Sequence, residues 1–187
     1  MKNLQNRSTA LIVAAVIMFS STIFSVHRTL GAKCREVGDT FYNGVYDSAQ
    51  RYVRTSIDSQ LDKRGEAANG LASVAAGFDA LGDQVHELHG VRNTLRQGRS
   101  PAEKFDANQA LGETFNELAR ALDAQELSDR DQKLIEEYSQ NFKRAQNVID
   151  AAGYNEHVRE FERTTLNVFP ANILKTIAFI SGPELFA

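Results

Sequence analysis

Between Ser8 and Val26 the chain reads STALIVAAVIMFSSTIFSV, 19 residues without a charge. At about 1.5 Å per residue, a helix of this run spans roughly 28 Å, close to the thickness of a bilayer's hydrocarbon core. No comparable run recurs. Downstream, apolar residues return every third or fourth position, the spacing of one buried helical face. Tyr42, Val45, Tyr46, Ala49, Tyr52, Val53, Ile57 and Leu61 form a first stripe. Leu71, Val74, Phe78, Leu81, Val85, Leu88 and Leu95 form a second, with Arg92 where another apolar residue would fall. Its 3–4 rhythm is that of a coiled-coil seam. Phe105, Leu111, Phe115, Leu118 and Leu122 make a third. Leu134, Ile135, Tyr138, Phe142, Ala145, Ile149 and Ala152 open a fourth, which runs on through Val158 and Phe161 towards Phe169-Pro170.

The punctuation between stripes is uneven. RGEAANG, Arg64 to Gly70, places two glycines and an asparagine between the first two. Glycine costs about 1 kcal/mol against alanine inside a helix, so this stretch predicts a break. The signals around residue 100 are firmer. Gly98 suits a helix end, Ser100 an N-cap and Pro101 the first helical position, and Glu103 completes a capping box. Ser128 predicts another cap, with Asp129 and Asp131 favouring the positive end of the helix dipole. Proline after Phe169 removes an amide donor and biases Phe169 away from helical geometry, which predicts a stop there. Short connections between long amphipathic helices predict an all-α fold: a transmembrane helix, then an antiparallel up-and-down four-helix bundle. The rival is one unbroken helix from the membrane to Leu95. It would be about 95 Å long, more than an antiparallel pair could cover. The expected organisation is an anchor in residues 1–28, a bundle in 29–170 and an apolar segment in 171–187.

Composition supports this picture. Of 187 residues, 42% are hydrophobic, only three are Pro and none is Trp, and so few turn formers favour helices. Lys2, Arg7 and Arg28 give the first 28 residues a charge of +3, leaving −6 on the rest. A mildly acidic body without a basic patch excludes the usual nucleic-acid binder. The apolar run is long for a cleaved signal peptide, and no strong small-residue cleavage site follows. An uncleaved anchor is therefore expected, against the alternatives of a signal peptide or a buried core helix. Lys2 and Arg7 flank it on one side, and Arg28, Lys33 and Arg35 on the other, so the positive-inside rule is nearly balanced and leans towards an extracytoplasmic body. The lone Cys34 cannot form an internal disulfide. Lys33 occupies the place where a lipoprotein site needs a small residue, so an unmodified thiol is expected.

Candidate chemistry is sparse. His86 and His89 in HELH stand three apart, whereas the zinc-protease motif needs four. Asp83-x-x-His86 has no second copy to complete a di-metal site. No phosphate loop or nucleophile elbow is present. No catalytic residue, metal ligand or cofactor site is expected. Arg54, Asp58, Glu66, Glu156, Arg159 and Glu160 read as a solvated face or as cross-helix ion pairs. Tyr154 is expected to be packed with its hydroxyl partnered. Asn155, placed mid-helix, needs a polar contact or a partner to explain it. The segment Ile173 to Ile180 carries one charge, Lys175. It is too short to span a bilayer and either packs as a short helix or offers an interfacial surface.

Several of these pieces together resemble the LemA family. YNEHVREFE followed by NVFPANI is similar to that family's C-terminal signature at Tyr154, Asn155, Val158, Arg159, Phe169, Pro170 and Asn172. SIDSQLDKR resembles its Asp-x-Gln-Leu segment at Asp58, Gln60, Leu61, Lys63 and Arg64. VAAGF, ending Gly77-Phe78, and VRNTL at 91–95 resemble two further segments. The pieces, with the anchor, cover nearly the whole chain in the family's order. The chain departs from the family at Ala68-Asn69-Gly70-Leu71, where a proline is usual, and at its last residues, ISGPELFA. The resemblance implies a divergent member: a bacterial membrane-anchored helical-bundle protein without established enzymatic activity. Some relatives are linked to magnetosome membranes, which implies membrane organisation rather than catalysis. A structural or adaptor role at the cell envelope, with the membrane and a protein as partners, is the expected function. The alternative is the sensory or ligand-binding input of an envelope signalling system, which predicts a pocket between helices with convergent polar groups.

Overall fold

The computed structural model describes residues 7–187, so Lys2 of the predicted basic flank lies outside the described residues. The fold is all-α apart from one small hairpin. Helix α1 (Arg7–Asn43) contains the uncharged run. Strands β1 (Tyr46–Asp47) and β2 (Tyr52–Val53) follow, then α2 (Ile57–Ala75), a 3₁₀ turn (Asp79–Leu81), α3 (Gly82–Gln97), α4 (Pro101–Asp123) and α5 (Asp129–Asp150). Helix α6 (Tyr154–Phe161) leads through a π-helical turn (Glu162–Leu166) to α7 (Ala171–Ile177). The chain divides into two compact units. One comprises the described residues up to Gly38 with Val158–Pro183, and the other Asp39–His157 with Glu184–Ala187.

In the second unit, α2 packs against α3, α4 and α5, and α3 against α4. Leu61, Leu71, Leu111, Leu118 and Leu122 fill the core and are fully buried. The Phe115 and Phe142 rings stack between α4 and α5, with centroids 3.9 Å apart. The N-caps at Ser100 and Ser128 form as the sequence predicts, except that Glu103 reaches the Arg99 amide rather than the Ser100 amide of a capping box. Ser100 Oγ accepts from the Glu103 amide, and Glu103 Oε2 accepts from the Arg99 amide. Ser128 Oγ accepts from the Asp131 amide at 3.1 Å.

Four predicted boundaries are corrected. The first stripe is not one helix. Gly44, at φ +84°, ends α1, and a Cβ there would overlap the Arg54 carbonyl. The chain then turns through an antiparallel pairing of Tyr46 with Val53 and Asp47 with Tyr52. Asp47 organises that turn by accepting from the Ala49 and Gln50 amides and from Arg54.

The predicted break at Arg64–Gly70 is continuous helix. Its small residues serve close approach instead: Ala67 and Ala68 are buried, and a Cβ on Gly70 would lie 2.5 Å from Tyr138 Cζ on α5. The break comes later, where the Gly77 and Phe78 amides donate to Val74 O and Ala75 O and tighten the chain into the 3₁₀ turn.

The fourth stripe is also divided. Gly153, at φ +76°, separates α5 from α6. Finally, the helical run ends at Leu166, before Phe169-Pro170. A π turn precedes that end, with the Thr164 hydroxyl donating back to Glu160 O at 2.7 Å. Such back-bonding bends helices. Proline instead precedes α7.

The first unit is built differently. Its buried side chains include Cys34, Val37, Val158, Leu166 and Ala178. Along α1, Leu11 and Phe24 are 71% and 69% exposed. Among the described residues α1 is the one helix long and apolar enough to cross a membrane.

Candidate functional site

The most unusual residue of the helical body is a cation in its interior. Arg64 on α2 is 5% exposed. Its guanidinium stacks on the Phe142 ring, 3.9 Å from the centroid, and donates through Nη1 to Asn108 Oδ1 on α4 and Gln146 Oε1 on α5. Asn108 Nδ2 donates to the same Gln146 oxygen at 3.3 Å, and Gln146 Nε2 donates to Asp150 Oδ1 at 2.7 Å. Three helices are thus tied by one chain of polar groups that begins at a cation and ends at a carboxylate. Burial pulls the Arg64 pKa down to about 10, against the attraction of Asp150. The side chain therefore stays charged at neutral pH. Its Nε is buried without a hydrogen-bond partner, which is costly in a low-dielectric interior.

A cavity of about 300 Å³ opens beside this network. Asn108, Gln146 and Asp150 line one part of it, and Tyr154, Asn155 and Phe186 another. Tyr154 is buried and edge-on to Phe41, and its hydroxyl donates to Glu184 O at 2.5 Å. Burial first, then Glu184 and Tyr42, push its pKa up to about 12, so the donor keeps its proton. Asn155 sits in the first turn of α6 rather than mid-helix. Its Nδ2 donates to Phe186 O at 2.8 Å, and its Oδ1 accepts from the Phe186 amide at 2.9 Å. One side chain thereby satisfies both backbone groups of one residue, as a neighbouring strand would. The Phe186 ring rests against Phe41 and Phe105. A larger groove, about 510 Å³, runs between α2 and α5 past Gln60 and Tyr138.

The singled-out positions separate into groups. Gln60, Leu61 and Arg64 are buried on α2, and Asp58 in its first turn pairs with Lys104 on α4. Gly77 lies in the turn after α2. Arg64, through its partners, meets Tyr154 and Asn155 around the cavity. Arg159, Phe169, Pro170 and Asn172 belong to the other unit and are exposed, with the Phe169-Pro170 bond cis. Of the charged set, Glu66, Glu156, Arg159 and Glu160 lie on exposed faces, Asp58 makes a cross-helix pair with Lys104, and Arg54 and Glu160 pair with Asp47 and Arg163. Among the described residues no group of three or more His, Cys, Asp or Glu could hold a metal ion.

Asn108 and Gln146 are absent from the sequence reading. Asn108 falls three residues before Leu111 and seven before Phe115, on a buried stripe, and Gln146 falls four after Phe142. An amide on an apolar stripe was the available signal.

No protein-family model, curated protein or solved structure matches this chain.

Proposed function

We propose that this chain is a membrane-anchored, non-catalytic helical-bundle protein serving as a structural or adaptor module at the bacterial cell envelope, a divergent member of the LemA family. In this reading α1 crosses the cell membrane once and the body lies outside the cytoplasm. Helices α2–α5 form an up-and-down four-helix bundle, a reading supported by the α2–α3, α3–α4 and α2–α5 packing and the Phe115–Phe142 stack. The observation that carries the proposal is the Arg64 network. Its Nη1, Asn108 and Gln146 are engaged across three helices, and the network ties the bundle together instead of presenting a nucleophile or a general base.

Photo-crosslinking of the full chain in intact cells, read by mass spectrometry, tests the role. A reproducible protein partner on the body is expected, and crosslinks to lipid alone would overturn it. Topology is tested with Tyr46→Cys and a membrane-impermeant maleimide. Labelling of intact cells is expected, and labelling only after lysis would place the body inside.

A second reading, a ligand-binding input module, is favoured by one observation: amide, carboxylate and aromatic groups converge on the 300 Å³ cavity. A small-molecule screen that raises the melting temperature of the full chain, and fails to raise that of Asn108→Leu, would support it.

A further inference from the structure

We propose that α7 and its flanks form an interfacial membrane element that lies at the headgroup level beside α1; this rests on the reading of α1 as a membrane anchor. Three observations within the first unit carry it.

The first is exposure. Phe169 is 80% exposed, Ile173 51% and Phe179 91%, with Ile177 and Val168 also exposed. Ile173 and Ile177, four apart, share a helical face, and Phe169 and Phe179 flank that helix at its two ends. From Asn167 to Pro183 the only charged residue is Lys175, whose amine is held by Asn167 Oδ1 at 2.7 Å.

The second is position. His27 Nδ1 donates to Ala178 O at 2.9 Å. His27 directly follows the uncharged run and precedes Arg28, Lys33 and Arg35. In a bilayer that transition falls where hydrocarbon gives way to headgroups. The contact therefore sets the end of α7 at the same level.

The third is strain. Phe179 adopts φ +53°, a left-handed conformation usually left to glycine. The Phe179 and Ile180 amides, donating to Thr176 O and Lys175 O, hold the chain there. These bonds close α7 as a helix C-cap and leave the Phe179 ring projecting outward, 91% exposed. Transfer of that ring into the acyl boundary removes its apolar surface from water. The chemistry fits a lipid surface: a short apolar face, aromatic ends and one lysine long enough to reach phosphate.

The chain has no tryptophan of its own, so single-Trp variants of the full chain in nanodiscs give a clean test. Lipids brominated at defined acyl positions quench a nearby indole. Phe179→Trp and Ile173→Trp should each lose more than about half their emission to bromines near the ester end, and less to bromines near the methyl end, as fits a ring about 5–10 Å into the boundary. Phe19→Trp, inside the uncharged run, should be quenched by deep bromines, and Tyr46→Trp by neither. If Phe19→Trp is quenched while positions 173 and 179 are not, the interfacial role is overturned and the anchor stands. If Phe19→Trp is not quenched, both fall. Unquenched, blue-shifted emission at 179 that moves to the red on dilution would assign the face to a second copy and also overturn the proposal.

Discussion

The helical body and the apolar stretches of α1 and α7 present opposite surfaces. In the helical body, leucines are sealed from solvent and a guanidinium lies among them. Along the uncharged run of α1 and along α7, leucine, isoleucine and phenylalanine such as Leu11, Ile12, Phe24 and Ile173 face outward, with Lys175 the one charge on α7. The same side chains obey the same transfer energetics in both places. On the proposed reading of α1 as an anchor, what differs is the solvent each surface is built for. A folded body in water must satisfy most of its interior polar groups, and here amides on α4 and α5 accept from the α2 guanidinium. An apolar helix facing outward needs an apolar medium, and its own backbone bonds make it fit one.

The largest expected contrast comes from truncating one aromatic in each region. Phe142→Ala should cost about 3–5 kcal/mol in denaturant unfolding of the micelle-held chain, since it removes the Phe115 stack and the Arg64 platform. Phe24→Ala in the same micelles should change body stability by less than about 0.5 kcal/mol. Comparable losses would erase the distinction.

Arg64 sharpens it next. Arg64→Ala should destabilise by about 1–3 kcal/mol through orphaned acceptors on Asn108 and Gln146. Arg64→Met should cost less, because an apolar chain of similar length keeps the packing and removes the desolvation penalty. Equal losses would mean the charge itself stabilises the body.

Tyr154→Phe should cost about 1 kcal/mol, the typical worth of one hydrogen bond, and should speed amide exchange at Glu184–Ala187. Exchange at wild-type rates would show that the hydroxyl contributes nothing to holding that segment.

The smallest effect concerns the hairpin. Arg54 and the backbone amides hold the Asp47 carboxyl below its ordinary range. Its contribution is therefore complete above the unfolded carboxylate pKa and is lost as pH falls through the lower folded value. Ala49 and Gln50 amide shifts in a pH titration should follow that loss, and Asp47→Asn should abolish it.

Much of this was legible from residue order. The apolar run, the caps at Ser100 and Ser128 and the stripes of α4 and α5 rest on local rules, and local rules are readable one segment at a time. The errors have a common cause. Gly65 and Gly70 read as a helix breaker because a glycine's local cost is visible in sequence, while the neighbour that needs the space at Gly70, Tyr138, is not. Gly153 passed as part of a continuing stripe because Ala152 and Val158 kept the rhythm. In the site, Tyr154 and Asn155 stood out by type, but their partners Glu184 and Phe186 lie about thirty residues on, and no local pattern links them. Asn108 and Gln146 could have been found by asking which polar residues share a face with leucine and phenylalanine.

Gly70 and Tyr138 occupy, in effect, one shared volume: the missing side chain of the first is the room taken by the ring of the second. Neither residue can then drift alone. A methyl at position 70 demands a smaller group at 138, and a shorter side chain at 138 leaves a hole that position 70 could fill. The two should therefore vary as a pair among related chains, and a compensated exchange between them would be a private key for joining this α2 to this α5 and to no other.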